Sequence, residues 1–223
     1  MDKSFSIIRQ SLIEWYPVNE KDKTLLINKG DSTLDELLGK KSQLTTVDDY
    51  DSLKKADTDY DIILLYDLYG FCIENDVAVK DMIATVSEHR GDNGTILLAM
   101  ENKLGMRYFA GCDEEQKGGF FTGIEDYSSW ECTIRPLSKH EVEDILRELK
   151  LCNYKFYYPY PDYKYPTIIY SDECLPKEGE LSRNIRNLDK DRYVMFDERR
   201  AFDSVIKAGL FKEFSNSYLV VIN

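Results

Sequence analysis

Ile96-Leu97-Leu98-Ala99-Met100-Glu101-Asn102-Lys103-Leu104-Gly105-Met106-Arg107-Tyr108-Phe109-Ala110-Gly111 is the stretch that decides the fold. It begins as a short apolar run of strand type, introduced by the turn signal Gly91-Asp92-Asn93-Gly94. It stops abruptly at Glu101-Asn102 and passes into a polar loop punctuated by Gly105 and Gly111. In an open parallel sheet, ligands bind just beyond the carboxyl ends of the strands. A carboxylate and an amide placed there must satisfy their polar groups, either with a ligand or by pinning their own loop.

Outward from this stretch, strands alternate with helices. Residues 25–27, 43–47, 61–67, 155–158 and 217–222 read as strands. Phe5, Ile7, Ile8, Leu12, Ile13 and Trp15 form a helical stripe that ends before Pro17. A short helix follows over 31–38, with its N-cap at Asp31 or Ser32 and Gly39 as its stop. Residues 77–90 read as a helix with Val79, Met82, Ile83 and Val86 inward. Ser138 and Glu141 form a capping box ahead of Val142, Ile145, Leu146 and Leu149. One further helix is expected over 199–208. This alternation predicts an α/β sheet with parallel crossovers.

The charged connection 50–60 is too short for a crossover helix plus another strand. One strand of the standard sheet is therefore expected to be missing or vestigial. Acids close two other strands. Asp48 stands where dinucleotide-type folds grip ribose hydroxyls. Asp67 reads as a base or substrate contact in the crevice, or as a helix N-cap.

Composition narrows the function. Lys and Arg number 29 against 41 Asp and Glu, a net charge of −12. That argues against a nucleic-acid backbone as partner, and against anionic membrane. No run has the length of a membrane-spanning helix, and Met1-Asp2-Lys3-Ser4-Phe5 lacks signal-peptide form, so a cytoplasmic protein is expected. Five scattered cysteines without a C-x-x-C pair, and two histidines, indicate neither a disulfide framework nor a metal site. The absence of G-x-x-x-x-G-K-[ST] excludes the usual phosphate-binding loop.

Several long motifs carry a resemblance. The 96–111 segment resembles the post-strand "IENxxGxxYxAG" loop of bacterial class I S-adenosylmethionine (SAM)-dependent methyltransferases of surface-polysaccharide gene clusters. Phe120 to Tyr127 resembles that family's "FxGIExY" element, and Tyr157 to Thr167 its "YYPxPDYKxPT" element. Trp15-Tyr16-Pro17 resembles its opening and Phe214 to Tyr218 its close. The match runs in order over most of the chain.

The resemblance implies a Rossmann-like methyltransferase fold: a mainly parallel, twisted sheet with an antiparallel C-terminal edge. It implies a single domain over 1–223, with insertions at about 103–137 and 159–216. Asn28, Gly30, Asp31 and Asp48 would bind the cofactor SAM. Asp67, Glu101 and Asp162 are the candidate bases, and Asn102, Tyr158, Tyr160 and Lys164 the candidate substrate contacts. The substrate would be a sugar or nucleotide-sugar, and the partners other enzymes of glycan biosynthesis.

The chain departs from the pattern in one region. The family's first strand runs into "hxExGxGxG", whose glycines let the backbone pass close to the cofactor. Here the acidic position is Leu26, and Asn28, Lys29 and Ser32 replace small residues around Gly30. Glu114-Glu115-Gln116 stands for the family's "EDH". An inactive methyltransferase fold kept as a binding or assembly module is therefore the alternative, with loss of SAM. A nucleotide-sugar or other nucleotide-binding enzyme using the same crevice is a third reading.

Overall fold

The computed structural model describes residues 12–28, 32–129, 133–183 and 193–223. Seven strands form one sheet: β1 (Lys23–Ile27), β2 (Gln43–Val47), β3 (Tyr60–Tyr66), β4 (Arg90–Glu101), β5 (Tyr154–Tyr160), β6 (Ile168–Ser171) and β7 (Ser217–Ile222). Their spatial order is β2-β1-β3-β4-β7-β5-β6. The β2, β1, β3 and β4 neighbours are parallel. The β4–β7, β7–β5 and β5–β6 pairs are antiparallel. The expected parallel core with an antiparallel C-terminal edge is thus the observed fold.

The helices are α1 (Ser32–Gly39), α2 (Tyr50–Lys55), α3 (Leu68–Glu74), α4 (Val79–Glu88), α5 (Met106–Phe109), α6 (Lys139–Glu148), α7 (Glu198–Lys207) and α8 (Phe211–Phe214). Between β2 and β3 the chain forms α2 and no strand, as the short 50–60 connection requires. Asp49 caps α2 by accepting from the Ser52 N–H at 2.8 Å. The capping box at Ser138 and Glu141 opens α6. The N-terminal stripe is described only from Leu12, and the cap at Asp31 lies outside the described residues.

The alternation of side chains along a strand sends successive residues to opposite faces. On β4, Leu98 and Met100 join the core beneath α3, α4 and α6, with Met82, Ile83, Val142 and Leu146. Leu97 and Ala99 join the other face, with Leu26, Leu34, Leu38, Leu12 and Ile13.

Three details differ from the sequence reading. The 91–94 turn signal lies inside β4, not before it. The pairing runs from Tyr60–Arg90 directly to Ile62–Thr95, so these residues form a bulge. A Cβ on Gly94 would sit 2.3 Å from the Tyr60 carbonyl oxygen, which explains the glycine. The helix ahead of it is shorter than 77–90, because its last positions feed the strand. β6 is an added edge strand; only Tyr170 of its four residues is buried, too weak a pattern to read.

Candidate functional site

The polar strand ends of β3 and β4 meet at one level, since Tyr66 pairs with Ala99. Asp67 takes a left-handed backbone (φ 62°), and its side chain accepts from the Gly70 N–H at 3.1 Å, starting α3. The Glu101 side chain is fully buried. Gln116 lies between the two, its amide 3.4 Å from Asp67 Oδ1 and 3.5 Å from Glu101 Oε1.

The frame around Glu101 comes from amides. Asn102 donates to the Glu213 and Ser215 carbonyls, both at 2.8 Å, and accepts from the Leu104 N–H at 3.0 Å. Asn216 accepts from the Arg107 N–H at 2.9 Å and donates to the Pro161 carbonyl at 3.0 Å. Two buried amides thus tie together the end of β4, the turn after β5 and the start of β7. Gly105 closes this frame. A Cβ there would meet Asn216 Cα at 3.0 Å, so the motif glycine is fixed by close approach of two backbones.

On this frame sits a buried charge cluster. Arg107 Nη1 bonds Asp162 Oδ2 at 2.5 Å, and its other terminal nitrogen donates to the Tyr108 hydroxyl at 2.8 Å. Asp162 also accepts from the Lys164 N–H at 2.8 Å. The Lys164 ammonium lies 3.1 Å from Glu101 Oε1, and Tyr163 donates to the same oxygen at 3.3 Å. Glu115 completes the group, 2.9 Å from Arg107 and in contact with the Lys164 ammonium.

Four carboxyl groups here (Asp67, Glu101, Glu115 and Asp162) face two cations. Burial pushes the Glu101 carboxyl up to about 8; Lys164 opposes this, while Asp67 and Glu115 reinforce it. Burial would also raise Glu115, but Arg107 and Lys164 outweigh it and hold that carboxyl well below the usual range. Glu101 and Glu115, both in contact with the Lys164 ammonium, are therefore shifted in opposite directions, Glu101 up and Glu115 down. Burial raises Asp162 too, with Arg107 opposing.

The structure therefore gathers Asp67, Glu101, Asp162 and Lys164, with Asn102 behind them. Other expected site residues stand apart. Asp48 is exposed beyond β2, and Asn28 beside it donates its backbone N–H to the Val47 carbonyl at 3.1 Å. Gly30 and Asp31 lie outside the described residues. Tyr158 and Tyr160 point to the opposite face of the sheet, into the core with Phe202, Phe211 and Tyr218. Their hydroxyls donate to Asp172 at 2.7 Å and to the Leu181 carbonyl at 2.9 Å. Strand alternation, which a cluster of tyrosines conceals, is the reason.

Sequence reading did not assign Arg107, Glu115 and Gln116 to the site. Their signal was a charge pattern: a cation one turn past the Glu-Asn strand end, and acids in a glycine-flanked loop. Among the described residues, no cluster of His, Cys, Asp and Glu suits a metal ion. Among them, no helix is long and apolar enough to cross a membrane.

No protein-family profile matches the sequence, and no curated protein matches it. Solved structures do. A SAM-dependent methyltransferase from Archaeoglobus fulgidus is 11% identical, with 98% of this chain and 93% of that one covered and a TM-score of 0.51. A chain from a Haloferax volcanii complex of a methyltransferase with a methyltransferase activator is 12% identical, with 100% and 91% covered and a TM-score of 0.51. At such identities the likeness is one of fold, and the fold is that of the Rossmann-like methyltransferases.

Proposed function

We propose that this chain is a methyltransferase-like protein of surface-glycan biosynthesis, one domain with insertions at about 103–137 and 159–216. Its reaction would move a methyl group from SAM to a hydroxyl of a sugar or nucleotide-sugar, in the cytoplasm. The sugar and glycan part of this reading is supported by the 96–111 and 157–167 motifs. The observation that carries it is the fully buried Glu101 at the carboxyl edge of a methyltransferase fold, held by Lys164 and Tyr163.

Methylation of a hydroxyl needs alignment and a base for its proton. Three carboxyls are candidates. Asp162 is tied to Arg107 and to the Lys164 N–H. Asp67 is occupied as the cap of α3. Glu101 exchanges its proton at about 8, and a base works best when its pKa lies near the working pH. Glu101 is thus the base of choice, with Lys164 and Tyr163 orienting it.

The fit to SAM is one-sided. Asp48, exposed beyond β2, suits ribose hydroxyls. Leu26, at the position of the expected acid, is fully buried with Leu34 and Leu38 and offers no acceptor to an ammonium group. That observation favours a second reading, an inactive scaffold that binds glycan intermediates or partner enzymes. Calorimetric titration with SAM and S-adenosylhomocysteine separates the two. Binding near the micromolar range supports the enzyme; no heat with either compound at millimolar concentration supports the scaffold.

A further inference from the structure

We propose that Arg107 and Lys164 form a binding site for an oxyanion of the acceptor, a carboxylate or phosphate group, and that Glu115 holds this place until the ligand displaces it. The inference rests on reading the β3–β4 crevice as the acceptor site.

The two cations belong to the frame. Arg107 is fixed through its backbone by Asn216 and through its side chain by Asp162 and Tyr108. Lys164 lies in the turn after β5 and is held by Glu101. Glu115 comes from a different kind of segment. Its loop runs between Gly111 and the pair Gly118 and Gly119, with φ values of 98°, 79° and 83°. The loop is closed on itself, since Glu114 accepts from the Lys117 and Gly118 N–H groups. Only one of its carboxylates, that of Glu115, spans both cations.

The contact with Arg107 is incomplete. Glu115 Oε1 sits 2.9 Å from the guanidinium, yet it accepts no hydrogen bond, and the buried Arg107 Nε donates none. A carboxylate shaped for a guanidinium makes two parallel hydrogen bonds. Glu115 therefore neutralises the pair without using all its donors. The Lys164 side chain is 22% exposed against 9% for Glu115, so the cluster opens toward solvent on the lysine side. Exchange of the Glu115 carboxylate for a carboxylate of the ligand keeps the charge balance, and a phosphate monoester adds up to about one further negative charge. With Glu115 swung away, Arg107 keeps Asp162 and Lys164 keeps Glu101, while the position that spans both cations is left to the incoming group. Because the Lys164 ammonium contacts both Glu101 and Glu115, the incoming group would lie against the candidate base.

The test is calorimetry without SAM, using glucuronate, glucose 1-phosphate and neutral methyl glucoside. Glu115→Gln should bind one of the two anionic probes at least about tenfold more tightly than the unaltered chain, the scale of one charge-assisted hydrogen bond. The anion that gains tells carboxylate from phosphate. Adding Lys164→Met should abolish the gain, and methyl glucoside should not change. A folded Glu115→Gln protein with no gain for either anion, or an equal gain for the neutral sugar, overturns the proposal. Circular dichroism checks folding; if Glu115→Gln does not fold, Glu115→Asp carries the same expectation at smaller size. Titration of the same proteins with SAM separates the two readings. Anion gain without SAM binding leaves this site standing and removes the transferase, whereas SAM binding without anion gain removes this site alone.

Discussion

The ends of β1 and β4 occupy the same edge of the sheet and have opposite chemistry. At β1, Leu25, Leu26 and Ile27 are fully buried, and Leu26 packs with α1. At β4, Glu101 and Asn102 are equally buried, and they are held by hydrogen bonds and by the Lys164 charge. The first end is stabilised by removal of apolar area from water. The second is held by mutual compensation of groups that could not be buried singly. The scaffold therefore tolerates an apolar residue where an acid is expected at β1, but it does not tolerate loss of one member of the β4 cluster.

The largest effect should come from breaking that compensation. Arg107→Met leaves Asp162 and Glu115 buried beside a single ammonium group. Urea denaturation should show a loss of roughly 3–5 kcal/mol, the usual result of removing one partner of a buried pair. A loss below 1 kcal/mol would mean that water reaches the cluster and that the comparison is wrong.

Leu26→Ala probes the other end. A fully buried leucine against Leu34 and Leu38 should cost about 2–5 kcal/mol in the same measurement. Its effect should not depend on pH or salt, whereas that of Arg107→Met should. Equal salt dependence would erase the distinction between the two ends.

Asp48→Ala sharpens the functional side. If SAM binds, calorimetry should show a weakening of roughly 1.5–3 kcal/mol, that of a lost charged hydrogen bond, with unchanged stability because Asp48 is exposed. Unchanged binding removes Asp48 from the site.

The finest effect is a slope. Glu101 is protonated in the folded chain up to about 8, and near 4.5 in the unfolded one. Between these values the folded state binds the extra proton, so this group makes stability fall as pH rises through that window. Glu115, held low, acts with the opposite sign, adding stability as pH rises toward the ordinary carboxyl value. Glu101→Gln should flatten the fall toward pH 8 and leave the acid side intact. A fall that persists in this variant would assign the proton elsewhere.

Much of this was legible in the residues. The Leu97–Met100 run, the capping box at Ser138 and the shortness of 50–60 report on local periodicity and chain length, which need no tertiary partner. Glu101 and Asp67 were legible as strand ends. The direction of Tyr158 and Tyr160 was not legible, because their stretch is aromatic on both faces and alternation gives no contrast between them. Arg107 and Glu115 were missed because their partners lie 55 residues away at Asp162 and 49 residues away at Lys164.

The sequence by itself determined the α/β order of elements, the missing strand and the polar strand ends, since each follows from periodicity, capping and connection length. Only the tertiary structure decided which charges meet, which carboxyl is pushed up and which held down, and which tyrosines turn away. Those outcomes depend on burial and on distances across the chain, and a carboxyl group changes its chemistry when it is enclosed with neighbours of like charge.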